Sequence, residues 1–423
     1  MPRICIPAFG VLLTAVTALA EEPLSLAVLI AEALEHNPEI LRASQTWEAA
    51  KTKPPQENAL PDPMLQVGFE RNPVLVREFI GGHQLTEPGM LERMNMLSIG
   101  LAQEFPYPGK RRLRGQIAEK NAAGAGAELR AVQRSLEAQL KLAYYDLAYS
   151  YQALEVVNST HRVLADFEAT TRARYRVGEG TQQEVLKAQV ELSVLIQRRL
   201  VFENEREAAS TQLNGLLNRP PEASLGRPDT LPPPRPLPSL ETLFSLARDH
   251  NPLLQRRQRE VEAAQLQVAL MKKEYRPDFN LSAGWKTDGS LDDYFQVMVE
   301  TQLPLQRQRR QYGVQEALAQ LEAARQTRSA AEQLLLALVR TLSSQATASS
   351  RLVELYTSAL IPQARFALEA ALAGYRVGKV ELLMLLDNAR ALLEDELMTQ
   401  DQLATHHRAL AQLEEAVGAS LEP

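Results

Sequence analysis

The chain has 423 residues, 45% of them hydrophobic, and a net charge of −6. That acidity argues against a nucleic-acid partner, because no basic excess exists to displace counterions from phosphates. Aromatics make up only 5%, while Ala, Leu, Glu, Gln and Arg abound, the composition of long helices and coiled coils rather than of a compact enzyme.

Taken in chain order, the first element is an export signal. Arg3, the apolar run ICIPAFGVLLTAVTALA and the small-x-small pattern Ala18-Leu19-Ala20 predict a secretory signal peptide over 1–20, with the mature chain starting at Glu21. The one cysteine, Cys5, lies inside it, so the mature chain is expected to hold no disulfide, no thiolate metal site and no lipidated cysteine. No later segment offers about 20 continuous apolar residues, so no transmembrane helix is predicted.

The rest reads as two repeats, 21–226 and 239–423, joined by the Pro-rich connector RPDTLPPPRPLP at 227–238. His36-Asn37-Pro38 returns as His250-Asn251-Pro252, an offset of 250 − 36 = 214. Phe105-Pro106 before Lys110-Arg111-Arg112 returns as Leu303-Pro304 before Gln308-Arg309-Arg310, an offset of 304 − 106 = 198. The first repeat therefore carries 214 − 198 = 16 extra residues between Glu70 and Met96, expected in a longer loop.

Each repeat predicts a helix, then a strand pair (about 62–104 and about 277–304), then a long helical hairpin. In the strand pairs, Leu65, Val67 and Phe69 alternate with polar or small residues, as do Leu97, Ile99 and Leu101. Phe279, Leu281 and Trp285, then Phe295, Val297 and Val299, repeat the pattern. A soluble sheet with one buried face and a membrane strand facing lipid share this signature. Segment length near that of a bilayer-crossing strand, a polar opposite face and export without a transmembrane helix favour the membrane strand. Four strands cannot close a barrel, so the chain is expected to pool them with other copies, three times four giving twelve.

The hairpins contain no proline from 109 to 219, and Leu136, Leu140, Ala143, Leu147, Ser150, Leu154 and Val157 alternate in steps of four and three. Pro362 predicts a kink or break in the second copy. Tyr175-Arg176-Val177-Gly178 recurs as Tyr375-Arg376-Val377-Gly378, each Gly placed to end a helix with positive φ at a hairpin tip near 178 or 378.

The duplicated order of these elements, with EFPYPGKRRLRGQIAEKNA at the junction, resembles the TolC-like outer-membrane factor (outer membrane efflux protein) family. EFPYPGKRR is most similar to its heavy-metal efflux branch. The resemblance implies a mixed α and β membrane protein: a trimeric 12-stranded outer-membrane β-barrel continued by a long periplasmic α-helical barrel. It implies a Gram-negative outer-membrane location and a passive exit duct for an efflux or type I secretion system. The implied partners are two further copies of the chain, a periplasmic adaptor, an inner-membrane transporter and outer-membrane lipid. By the same likeness, Tyr175, Val177, Gly178, Tyr375, Val377 and Gly378 are adaptor-docking tips, and the apolar strand residues above face lipid. Asp387 matches one aspartate of the aperture ring, but Met384 stands where relatives carry a second acid. A solvated helix-face charge is the other reading of Asp387.

Nothing in the sequence points to catalysis. A Gly-rich phosphate loop, a His-Glu-x-x-His and a Gly-x-Ser-x-Gly elbow are all missing, and no cofactor is implied. Met64, Met90, Met94, Met96 and His83 cluster in the first hairpin, where thioethers suit Cu(I) but serve equally as flexible filler. No metal site is assigned to them. An exported coiled-coil scaffold with a soluble β-insert is the rival of another class, and metal, drug and protein cargo all remain open.

Overall fold

The computed structural model describes residues 24–74, 92–287 and 293–421. The predicted signal peptide, most of the 16-residue excess, His83 and Met90 lie outside them, as do the side chains of Met94 and Met96.

The first repeat opens with α1 (Leu26–His36), α2 (Pro38–Lys51) and α3 (Lys53–Asn58), followed by strands β1 (Met64–Val74) and β2 (Glu92–Phe105). The hairpin is α4 (Lys110–Arg176) and α5 (Gln182–Leu216). The second repeat gives α6 (Leu240–His250), α7 (Pro252–Lys273), β3 (Phe279–Thr287) and β4 (Asp293–Thr301). Its hairpin is α8 (Arg307–Leu355), a π-turn (Tyr356–Leu360), α9 (Ile361–Arg376) and α10 (Leu382–Val417).

At 67 residues α4 is about 100 Å long, a rod that no single globular core could bury. It lies against α5, α7 and α10, and the seven heptad positions from Leu136 to Val157 are all buried there. Glycines and alanines in NAAGAGAE let α2 approach closely enough for Trp47 to lie on Gly126.

At Pro362 the second rod is interrupted as an α-helix without ending. The helix takes in a π-turn instead, in which the Ile361 N–H reaches back to the Tyr356 carbonyl, five residues away. The turn moves a carbonyl out of the way of a proline ring that could not have donated to it. The hydroxyls of Thr357 and Ser358 donate to the Val353 and Glu354 carbonyls at 2.7 and 2.6 Å, adding side-chain bonds within the disturbed turn.

The repeated Asn-Pro has a double role. Asn37 and Asn251 cap α2 and α7, accepting from the N–H groups of Glu39 (2.9 Å) and Leu254 (3.0 Å). Each Nδ2 then donates to the last turn of the returning hairpin helix, Asn37 to the Leu216 carbonyl (2.9 Å) and Asn251 to the Ala416 carbonyl (2.8 Å). One amide thus closes two helix ends, its oxygen accepting at one and its NH₂ donating at the other, a pairing a carboxylate could not make.

The strands form one antiparallel sheet in the order β1-β2-β3-β4. Beneath it, PYPGK turns the chain from β2 into α4. Lys110, 1% exposed, donates to Asp278 (2.9 Å), Glu274 (3.2 Å) and the Arg276 carbonyl (3.2 Å), while Asp278 also accepts from the Tyr107 N–H. A buried ammonium with all three protons engaged fixes the rod of one repeat to the strand lead-in of the other.

Asn251→Ala should lower unfolding free energy by about 1–3 kcal/mol, since a cap is lost and a buried carbonyl left unpaired. Asn251→Asp should recover only the cap. Denaturation of the two variants in detergent, read by helical circular dichroism, would separate the two contributions; equal stability of both variants and the wild type would show that the amide is dispensable.

Candidate functional site

Three regions carry the predicted site residues: the sheet, the hairpin tips and the first turns of α10.

Residues paired across strands share a face. Val67, Ile99, Trp285 and Phe295 form one row, and Leu65, Leu101, Ala283 and Val297 the next. Phe69 pairs with Leu97, and Leu281 with Val299, on the same face. All twelve predicted apolar residues are exposed there, although a soluble sheet would bury them. The opposite face carries Gln66, Gly100, Gly284 and Gln296 in one row and Glu104, Asn280 and Glu300 in another.

The two tips close identically. The Gly178 and Gly378 N–H groups reach the Tyr175 and Tyr375 carbonyls, both at 3.1 Å. Glu179 and Lys379 reach Arg174 and Gly374, both at 2.9 Å. These are Schellman closures, with φ of +82° and +74° at the glycines. Val177 and Val377, 71% and 67% exposed, stand just before them.

Elsewhere the copies diverge. Tyr375 is 2% exposed, its hydroxyl 3.0 Å from Thr171, and the Arg174 guanidinium covers its ring and donates to its carbonyl. Tyr175 is 46% exposed. The tips also exchange bulk: Arg174 and Gly180 in the first copy answer Gly374 and Val380 in the second. A Cβ on Gly374 would lie 2.4 Å from Val380 Cγ2, while one on Gly180 would lie 3.5 Å from Arg174 Cβ. Thr181 and Glu184 form a capping box at the start of α5; Glu381 at the start of α10 makes no such bond.

The Asp387 side chain is 60% exposed and 3.7 Å from Arg390, one turn on. Arg390 reaches across to α5, where its guanidinium grips the buried Glu191 carboxylate through Nε (2.8 Å) and Nη2. That pairing, with Asp387 adding to it, raises the affinity of Arg390 for its proton. A second pair of opposite polarity, Arg198 of α5 with Glu394 of α10, lies further along the same two helices. Spacing of Asp387 and Arg390 was readable from the sequence as an i, i+3 pair. Glu191, Lys110 and the role of Arg174 were not.

Residues 29–219 and 243–419 match the family model described as outer membrane efflux protein. The chain belongs to that family. No curated protein matches it by sequence. Among solved structures it is similar to the outer-membrane channel OprN, with a TM-score of 0.80 and 19% identity over 94% of this chain and 91% of that one. It is similar also to the outer membrane protein VceC of Vibrio cholerae, at 0.77 and 20% over 94% and 97%. CusC gives 0.80 and 16% over 93% and 92%.

The family's fold accounts for the exposed face and the open sheet edges. Each chain supplies four strands to a trimeric outer-membrane barrel of three times four, and its rods continue into the periplasm as a helical barrel. No helix among the described residues is long and apolar enough to cross a membrane.

Gly374→Ala should strain the second tip by about 1–3 kcal/mol, because the added methyl meets Val380. Val380→Gly on top of it should remove the strain. Hydrogen exchange at the ends of α9 and α10 reads both, and unchanged exchange in Gly374→Ala would mean that the tip yields freely.

Proposed function

We propose that the chain is the exit duct of a tripartite efflux assembly and that heavy-metal cations are its cargo. The observation that carries the duct reading is the twin tip: one chain ends two hairpins in the same closure, each presenting an exposed valine before a left-handed glycine. Two similar tips per chain would offer a periplasmic adaptor six quasi-equivalent places on a trimer. Glycine at these points leaves the backbone open to approach, with nothing within 4 Å of a Cβ at Gly178. The inner-membrane transporter would hand cargo over through that adaptor.

The trimer has a face to use. Leu334, Leu338, Leu352 and Leu355 lie on one exposed heptad stripe of α8, which a neighbouring copy would cover.

Support for cations comes from carboxylates along the proposed path. Glu104 and Glu300 share a row on the polar face at the base of the sheet, and Asp387 stands near the tips. Rings of carboxylates attract cations and repel anions. The similarity of EFPYPGKRR to metal-efflux relatives points the same way. Restoring the chain to a strain that lacks it should recover tolerance to heavy metals. Recovery of drug tolerance or protein export alone would assign the other cargo, and a monomer extracted without detergent would put a scaffold in place of the duct.

Two further outcomes follow from this reading. Arg at Val67 or Val297 should destabilise the assembled barrel by about 2–4 kcal/mol near the midplane, whereas Arg at Gln66 or Gln296 should be tolerated. Folding titrations into lipid would show the faces to be misassigned if the two pairs behaved alike. Asp387→Ala should raise single-channel conductance and weaken block by multivalent cations in planar bilayers. Unchanged conductance and block would make Asp387 a surface charge and place the constriction elsewhere.

A further inference from the structure

At the base of the apolar face the chain gathers cations. Phe105 pairs with Phe279 in the lowest aromatic row of that face, and Tyr107 follows two residues later. Lys273 Nζ and the Arg276 guanidinium stand 5.7 and 6.0 Å from the centre of the Tyr107 ring. Lys273 spends one hydrogen bond on the Pro108 carbonyl (3.2 Å), and Arg276 is exposed. Beside them, Arg310 donates to the Glu274 carbonyl at 2.7 Å and holds the first turn of α8 against the end of α7. Arg307, exposed and without an ion pair among the described residues, opens that turn directly after the exposed Leu303 and Leu305.

The two acids that flank Arg276 in the chain are already engaged. Glu274 and Asp278 are both engaged by the buried Lys110. On the other face of the sheet, the same level carries Glu104 and Glu300 instead. Cations below the apolar face and carboxylates on the polar one is a sidedness that water alone would not select. Aromatic rings and long basic side chains are the groups that settle at a lipid headgroup layer.

We infer that Lys273 and Arg276, beside Tyr107, together with Arg307 at the start of α8, form a cationic collar that binds the phosphates of anionic phospholipids in the periplasmic leaflet of the outer membrane. The inference rests on the lipid-facing reading of the strands.

The test uses the detergent-purified trimer and native mass spectrometry with phosphatidylglycerol and phosphatidylethanolamine of the same acyl chains. Wild type should retain phosphatidylglycerol at least about tenfold better at low salt, and the preference should shrink at high salt. The triple variant Lys273→Gln/Arg276→Gln/Arg307→Gln should lose the preference, and the charge-keeping Lys273→Arg/Arg276→Lys/Arg307→Lys should restore it. Should the triple variant not assemble, Arg276→Gln alone, whose exposed side chain lies against the Tyr107 ring, should show a partial loss. Equal retention of the two lipids by wild type, or an undiminished preference in the glutamine variants, overturns the collar. A protein that needs no detergent overturns the lipid-facing reading itself, which is a separate result.

Discussion

A sheet with one apolar face in the open and an unpaired strand at each edge cannot stand alone in water. Every other feature of the chain follows from that constraint. Lipid accepts the face, but tolerates no free backbone edge, so β1 and β4 must meet strands of other copies. Rods about 100 Å long face the same difficulty in helical form: each has an apolar seam that only another rod can cover. Three chains solve both problems with one symmetry axis. The junction around Lys110 matters because it transmits that symmetry from strand to rod, locking the start of α4 to the lead-in of β3 rather than to its own repeat.

Duplication gives the chain two copies of each device, and the copies have specialised. The Asn caps remain equivalent, since both must accept from one helix start and donate to another helix end. So do the Schellman tips, because positive φ leaves little choice of residue. Tyr175 and Tyr375 do not, because inside one chain the second hairpin packs on the first, while the first has no neighbour on its other side. Tyr375 is therefore sealed against Thr171 and Arg174, whereas Tyr175 stays 46% exposed.

What the sequence revealed was what depends on short periods. Alternation at two and at alternating four and three marked the strand faces and the seam from Leu136 to Val157, and both appear where those periods put them. Contacts closed over long separations were hidden. Lys110 finds acids 164 and 168 residues away, and Arg390 finds Glu191 at 199, distances at which no local spacing carries information. At Pro362 a disturbance of the helix was expected, and only its form was not legible. Proline rules describe an α-helix, and a helix with Thr357 and Ser358 beside the proline can widen into a π-turn instead of breaking.

That π-turn makes the two rods mechanically unlike. The first runs unbroken for 67 residues from the Lys110 junction to Gly178. The second is interrupted 16 residues before its tip, where a π-turn takes over from the α-helix and the Thr357 and Ser358 hydroxyls bond to backbone carbonyls. A helix bends most readily where its hydrogen-bond ladder is already disturbed. Bending of the second rod is therefore concentrated just above the hairpin that bears Asp387, and the end of that hairpin is held to the rigid one chiefly by side chains. Tyr375 contributes its hydroxyl and ring, and the α5–α10 ion pairs contribute Arg390 with Glu191 and Arg198 with Glu394. Those ties alternate in polarity along two parallel helices, so a register slip would set like charges against each other. The π-turn and the alternating ties therefore act in different directions, the one easing bending of the rod and the other opposing sliding of α10 along α5.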